Sequence, residues 1–173
     1  MTWLAETAPG ATPLDRTFGL RPDAYARFRE LYGGLWDPAV IDPRILELCR
    51  LRIGTILGCD AERAVRFDDA AAAGITEDDV AALPRWPSSS AFSPAERAAI
   101  AYAEQYVMDP HELTDDHFAT LHEHLDEPAL ATLSLAVAMF DALARFRLAL
   151  GIEPVGPEPT PMPGPGLTPA SLP

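Results

Sequence analysis

Asp42-Pro43-Arg44-Ile45-Leu46-Glu47-Leu48-Cys49-Arg50-Leu51-Arg52-Ile53-Gly54 runs on into Thr55-Ile56-Leu57-Gly58-Cys59-Asp60-Ala61-Glu62-Arg63-Ala64-Val65-Arg66. Asp42 is a helix N-cap residue, and Pro43 stands at the first helical position, where proline is tolerated. Ile45, Leu48, Cys49, Ile53 and Ile56 then recur at helical spacing. Gly58 marks the stop. A further helix is expected to start close to Cys59 and to run through Val65 and Phe67 to Ala73, where Gly74 supplies a left-handed cap.

The same punctuation extends in both directions. Pro22 opens an earlier helix with Tyr25, Phe28, Leu31 and Leu35 on one face, weakened at its end by Gly33-Gly34. Thr76 caps a short helix through Leu83. Ser93-Pro94-Ala95-Glu96 is a capping box with proline at the first helical position, opening a helix that reaches Tyr106 or Val107. Thr114-Asp115-Asp116 caps a helix over His117 to Leu125, and Asp126-Glu127-Pro128 caps a long last helix ending at Leu150-Gly151. No strand pattern competes and no solenoid repeat recurs. The reading is an all-α bundle of six to seven helices over residues 21–152. Residues 1–20 are expected to form a flexible N-terminal segment. Eight of the twenty residues from Pro154 to Pro173 are proline, so residues 153–173 are expected to be a disordered tail. The last helix is apolar on more than one face, through Leu130, Leu133, Leu135, Val137, Met139, Phe140, Leu143, Phe146, Leu148 and Leu150, which predicts a surface shared with another subunit.

The 173 residues include 26 acidic side chains against 13 basic ones, all of them arginine. Without lysine there is no Schiff-base chemistry and no phosphate-loop lysine. A formal net charge of −13 argues against nucleic acid or an anionic membrane as partner. The excess has an address: residues 59–128 hold sixteen acids and four arginines, whereas residues 1–58 hold seven of each. Solvated helix faces account for it. The N-terminus has no signal-peptide pattern, and Ala129 to Phe140 reads as too short and too polar to span a bilayer, so a cytoplasmic location with reduced thiols is expected. His111, His117, His122 and His124 lie near Asp115 and Asp116, but His122 and His124 point to different helix faces, and no metal is expected. No Gly-rich phosphate loop, Cys-x-x-Cys, His-Glu-x-x-His or Gly-x-Ser-x-Gly occurs, so no cofactor is expected either. Trp86 and Phe92, around Pro87-Ser88-Ser89-Ser90, read as core packing.

Across roughly residues 40–152 the chain resembles the AhpD-like, or carboxymuconolactone decarboxylase-like, family. The resemblance rests on Asp42-Pro43-Arg44, the Glu47-Leu48-x-x-Leu51-Arg52 helix, and Gly58-Cys59 with the cysteine twelve residues after Glu47. It also rests on Ala72-Ala73-Gly74-Ile75, Phe92-Ser93-Pro94-Ala95-Glu96-Arg97-Ala98-Ala99-Ile100-Ala101-Tyr102-Ala103, and the alanine- and leucine-rich last helix. It implies an all-α fold around a short helical hairpin, assembled as a homo-oligomer, a trimer or hexamer. In the thiol-peroxidase branch a Glu is followed by Cys-x-x-Cys-x-x-x-His. The cysteines are the redox pair, and the Glu and His carry protons. Here Glu47 matches that Glu and Cys59 the first Cys, whereas Glu62 stands at the second Cys and Arg66 at the His.

Glu47, Cys59, Glu62 and Arg66 are therefore the candidate catalytic residues. A two-cysteine cycle needs a resolving thiol, and Glu62 cannot supply one. Cys49, near the middle of the preceding helix, reads as a buried apolar residue. A helix start favours the Cys59 thiolate, as do Arg63 and Arg66, while Asp60 and Glu62 oppose it. Glu62 and Arg66 are spaced to pair at i and i+4. Three functions stand open. One is a one-cysteine hydroperoxide reductase using Cys59, an external thiol and Glu47 as proton relay. Another is a cofactor-free, decarboxylase- or isomerase-like enzyme, with Glu47 and Glu62 transferring protons and Arg66 holding the carboxylate of a small acidic substrate. The last is a non-catalytic oligomeric binding protein in which Glu47, Glu62 and Arg66 form a buried ion-pair cluster.

Overall fold

Local capping chemistry sets most helix starts. In the computed structural model, which describes residues 3–4, 8, 12–67, 73–152 and 159–160, Thr12 and Asp15 form a capping box that opens α1 (Pro13–Phe18). α2 (Pro22–Gly34) follows, then α3 (Pro43–Ile56), where the Asp42 carboxylate accepts from Arg44 N. α4 (Asp60–Ala64) is a single short turn, and α5 (Glu77–Ala82) starts on a Thr76–Asp79 capping box. A 3₁₀ segment, Leu83–Ser88, leads to α6 (Pro94–Met108), opened by the Ser93–Glu96 box. α7 (Asp115–His122) and α8 (Glu127–Leu150) complete the bundle, with Asp126 accepting from Ala129 N and Gly151 closing α8 at φ +62°. The fold is all-α. Among the described residues the β pairing is one two-residue parallel bridge, β1 (Arg66–Phe67) with β2 (Pro159–Thr160). The rest of the proline-rich tail lies outside the described residues.

α3 is the central helix. It packs on α6, α8 and α4 and is buried nearly all round: Leu46, Leu48, Cys49 and Ile53 are inaccessible, and so is Glu47. Its neighbours supply Ala99, Ala103, Leu133, Ala136, Val137 and Phe140, small and large residues that interdigitate in one core. A column of rings, Phe18, Tyr25, Phe28, Tyr32 and Trp36, joins α1 and α2 to Phe140 and Phe146 of α8 at centroid separations of 5.0 to 6.4 Å. Away from the centre, Arg44 ties two capping boxes together. Its guanidinium donates to Asp79 of α5 and Glu96 of α6, both at the third position of their helices, and to Gly74 O.

The structure departs from the sequence reading in four places. Within residues 1–20, taken as flexible, residues 13–18 form α1, with Leu14 and Thr17 buried. On α2 the buried face is Tyr25, Tyr32 and Leu35 with half-buried Phe28, whereas Leu31 is half exposed; Tyr32, one turn after Phe28, takes the inward place by stacking on it at 5.3 Å. The helix from Cys59 does not continue to Phe67. It ends at Ala64, and Val65 is extended (φ −70°, ψ 136°) because its carbonyl accepts from the Arg50 and Arg66 guanidiniums instead of a helical N–H. Residues 68–72 lie outside the described residues. Lastly, the apolar stretch from Ala129 belongs to a 24-residue helix that is long and apolar enough, by length and composition alone, to cross a membrane. In this fold α8 buries Leu130, Leu133, Val137, Phe140 and Leu143 against the bundle and leaves Leu135 and Leu148 exposed.

Candidate functional site

Glu47 and Arg50 sit three residues apart on α3 and so share a helix face. Gly54, one turn on, lets α4 lie directly against that helix: a Cβ there would meet Glu62 Cβ at 3.1 Å and Arg63 Cγ at 3.4 Å. α4 brings Cys59, as its N-cap residue, and Glu62. α8 brings Ala144 and Arg147, again three apart on one face. The result is a buried lattice of two carboxylates and two guanidiniums.

Arg50, 1% exposed, is its hub. Nε donates to Glu47 Oε2 (2.8 Å) and Nη2 to Glu47 Oε1 (2.6 Å). Nη1 donates to Glu62 Oε2 (2.9 Å) and Glu62 O (2.6 Å), and Nη2 also to Val65 O (2.8 Å). The five N–H groups of a guanidinium thus have five acceptors. Glu62 Oε1 pairs with Arg147 Nε at 2.5 Å. All four carboxylate oxygens of Glu47 and Glu62 are engaged, and the charges sum to zero. Burying charge is costly unless it is paired and hydrogen-bonded; Arg50 meets both conditions, whereas the Glu62 Oε1–Arg147 Nε contact is an ion pair without hydrogen-bond alignment. Burial alone depresses the Arg50 pKa, but Glu47 and Glu62 outweigh it and hold the guanidinium above its ordinary value. The Tyr32 hydroxyl stands beside the lattice, its pKa raised by burial and by Glu62.

Cys59 lies at the α4 edge of this lattice, 1% exposed, packed with Leu57, Ala61 and Ala144. Burial raises its pKa. The Glu62 and Ala61 amides and the Arg147 charge favour the thiolate, the Glu62 charge opposes it, and the thiol ends above its usual value. The amides face the sulfur without completing a capping hydrogen bond. Cys49 is free, fully buried in the main core, and its thiol is pushed far up by burial.

Of the four residues singled out from sequence, the structure brings Glu47, Cys59 and Glu62 together and leaves Arg66 outside. Arg66 pairs with Glu77 of α5 at the surface (Nε–Oε1 2.9 Å) and reaches the lattice only through the Val65 carbonyl that it shares with Arg50. Glu62 does not pair with Arg66, as its spacing suggested; Arg50 and Arg147 claim it. Sequence reasoning missed those two arginines. Both are charged residues on apolar helix faces, and that was the available signal. Phe92 is core, as read, while Trp86 is half-buried and donates from Nε1 to Glu104 Oε2, which also accepts from Arg52 Nε. Among the described residues no three His, Cys, Asp or Glu side chains converge as a metal site.

The carboxymuconolactone decarboxylase family model matches residues 22–105, a span that contains Glu47, Cys59, Glu62 and Arg66. An uncharacterised Bacillus subtilis protein, YdfG, is 27% identical over 106 residues, covering 61% of this chain and 72% of that one. Escherichia coli YnjA, also uncharacterised, is 28% identical over 116 residues, covering 67% and 64%. Among solved structures, an Agrobacterium tumefaciens protein of unknown function, linked by name to the antioxidant-defence protein AhpD, superposes with TM-score 0.63 at 19% identity over 80% of this chain and 95% of that one. A Cys-to-Ala variant of the debrominase Bmp8 in complex with 2,3,4-tribromopyrrole gives 0.66 at 20% identity over 83% and 77%. The AhpD core of a Ralstonia eutropha peroxidase-related protein gives 0.62 at 17% over 82% and 76%. At such identities these structures establish the fold and not the chemistry. The helical hairpin, its Glu47-to-Cys59 spacing and the family-model match over residues 22–105 together make the chain similar to the AhpD-like, carboxymuconolactone decarboxylase-like family.

Proposed function

We propose that this protein is a one-cysteine, thiol-dependent reductase of small electrophiles, hydroperoxides first among them, that works as a homo-oligomer in the cytoplasm. The observation that carries this reading is the position of Cys59: the N-cap of α4, beside the Glu62–Arg147 pair, with an acid where the family's second cysteine belongs. The Cys59 thiolate attacks the peroxide, giving Cys59 sulfenic acid and an alkoxide that takes a proton and leaves as alcohol. An external thiol condenses with the sulfenic acid, releasing water and forming a mixed disulfide. A second external thiol regenerates Cys59 and leaves as disulfide. Burial keeps the resting thiol protonated, so turnover at neutral pH is slow. The redox names attached to three structural neighbours accord with this chemistry. The test is peroxide consumption by the purified protein with dithiothreitol: activity is expected in the native chain and lost in Cys59→Ser, and equal activity in both overturns the reading.

The closure of the lattice favours a second reading, a binding or scaffold protein without turnover. Absence of any thiol-dependent consumption, together with severe destabilisation by Arg50 substitution, would select it. The acid/base alternative loses support from the same geometry, because both carboxylates are buried and ion-paired to Arg50, and Arg66 is not beside them.

A further inference from the structure

Cys59 is buried by a small piece of structure. It packs with Ala61 of α4, with Ala144 of α8 and with half-buried Leu57, a cluster separate from the main core around α3. α4 has five residues, of which Ala61 and Glu62 are buried. Asp60 and Arg63 face solvent, paired with each other at 2.9 Å. Alanine and cysteine side chains bury little area, so apolar packing holds α4 weakly. Its ties to the bundle are chiefly polar, and most start from one side chain. Arg50 donates from Nη1 to Glu62 O (2.6 Å) and Glu62 Oε2 (2.9 Å), and from Nη2 to Val65 O (2.8 Å). Arg66 also donates to Arg63 O and Val65 O, but its own anchor is Glu77, which is mostly in water.

Both ends of α4 are built to turn. Gly58 precedes Cys59 at φ +66° and stands in open space, where a Cβ meets nothing within 4 Å. Val65 follows α4 in an extended conformation. A few dihedrals at such joints can absorb the swing of a short rigid element. The swing leaves the buried charges compensated. Arg50 keeps both of its bonds to Glu47 within α3, at 2.8 and 2.6 Å. Glu62 carries its carboxylate out to water, and Arg147, which pairs with it at 2.5 Å, is uncovered by the same movement. α3 remains packed on α6 and α8. Elements with few buried apolar contacts open locally at a lower free energy than the whole fold.

We propose that α4 is a gate over Cys59, swinging on Gly58 and Val65, with Arg50 as its latch. The gate goes beyond the reductase reading and rests on burial and hydrogen bonding alone. The test alkylates the full native chain with iodoacetamide at increasing urea, below the unfolding transition, and reads each cysteine by peptide mass spectrometry. Cys49, inaccessible in the main core, reports global unfolding. Each rate is divided by that of the same cysteine in the unfolded chain. Cys59 is expected to react about a hundredfold faster than Cys49 without urea, and its rate should stay nearly flat while that of Cys49 climbs. Leu121→Val, in the main core, should speed Cys49 and leave Cys59 unchanged. Arg50→Lys keeps the charge but cannot span the Glu62 and Val65 carbonyls, and it should speed Cys59 about tenfold with the flat urea response retained. If Arg50→Lys does not fold, the same rise is expected in Glu47→Gln/Arg50→Gln, which leaves Glu62 and Arg147 as a neutral pair. A Cys59 that reacts at the Cys49 rate with the Cys49 urea dependence overturns the gate. A Cys59 rate unchanged in the Arg50 variants overturns the latch. A gated Cys59 in a chain that consumes no peroxide overturns the reductase reading and leaves the gate standing.

Discussion

Arg50 and Arg66 are two arginines of one segment in opposite physical situations. Replacing Arg50 with methionine leaves Glu47 and Glu62 buried with a missing counter-charge, and a loss of about 3–5 kcal/mol is expected in urea unfolding. Replacing Arg66 with alanine removes a pair whose carboxylate partner is mostly in water, and the same measurement should show less than about 1 kcal/mol. Had the sequence-based ion pair of Glu62 with Arg66 formed, the order would be reversed. Cys59 adds a pH signature. Burial raises its pKa, so the thiolate fraction stays small until the pH passes the ordinary thiol range of about 8.5. The second-order rate of Cys59 alkylation in a Cys49→Ala background should climb with pH from 7 to beyond 9 without levelling. A plateau below pH 8 would show that the α4 amides and Arg147 outweigh burial.

At the scale of elements, the approach of α4 to α3 places the site, and Gly54 permits it. Gly54→Ala gains up to about 1 kcal/mol of helix propensity but sets a methyl 3.1 Å from Glu62 Cβ, where backbone must yield. A net loss of about 1–2 kcal/mol is expected, with faster Cys59 alkylation as α4 lifts; unchanged stability and reactivity would mean the contact relaxes freely. The Arg44 clamp predicts an acid dependence. Arg44 holds the Asp79 carboxyl down at about 2. Its contribution is complete above the unfolded Asp pKa of about 3.9 and is lost as pH falls towards 2. Asp79→Asn should cost about 1–2 kcal/mol at pH 7 and much less at pH 2, read by urea unfolding at both. What the sequence made legible follows this division. Helix starts at Asp42, Thr76, Ser93 and Asp126 were readable because a cap is made within three residues of itself. The end of α4 at Ala64 was not, because the Val65 carbonyl is taken by Arg50, fifteen residues back. Glu47, Cys59 and Glu62 were readable as a group from their spacing in one hairpin. Arg147 reaches Glu62 from 85 residues away, and no local pattern announces that meeting.

For the whole molecule, the helices enclose a core around α3 and leave Leu135 and Leu148 of α8 in the open. A homo-oligomer built on that face predicts that Leu135→Arg lowers the mass measured by light scattering while helicity is retained; an unchanged mass places the interface elsewhere. In the proposed reductase reading the lattice also bears on the redox cycle of the whole chain. It fills the position of a second thiol with a clamped carboxylate, and it keeps the other cysteine, Cys49, in a separate part of the core. The proposed cycle therefore takes its resolving sulfur from an external thiol. The direct measurement is peptide mass spectrometry after one equivalent of hydrogen peroxide in the presence of glutathione. A glutathione mixed disulfide on Cys59 and an unmodified Cys49 are expected. A Cys49–Cys59 disulfide, or a Cys59 left unmodified, contradicts the proposed cycle.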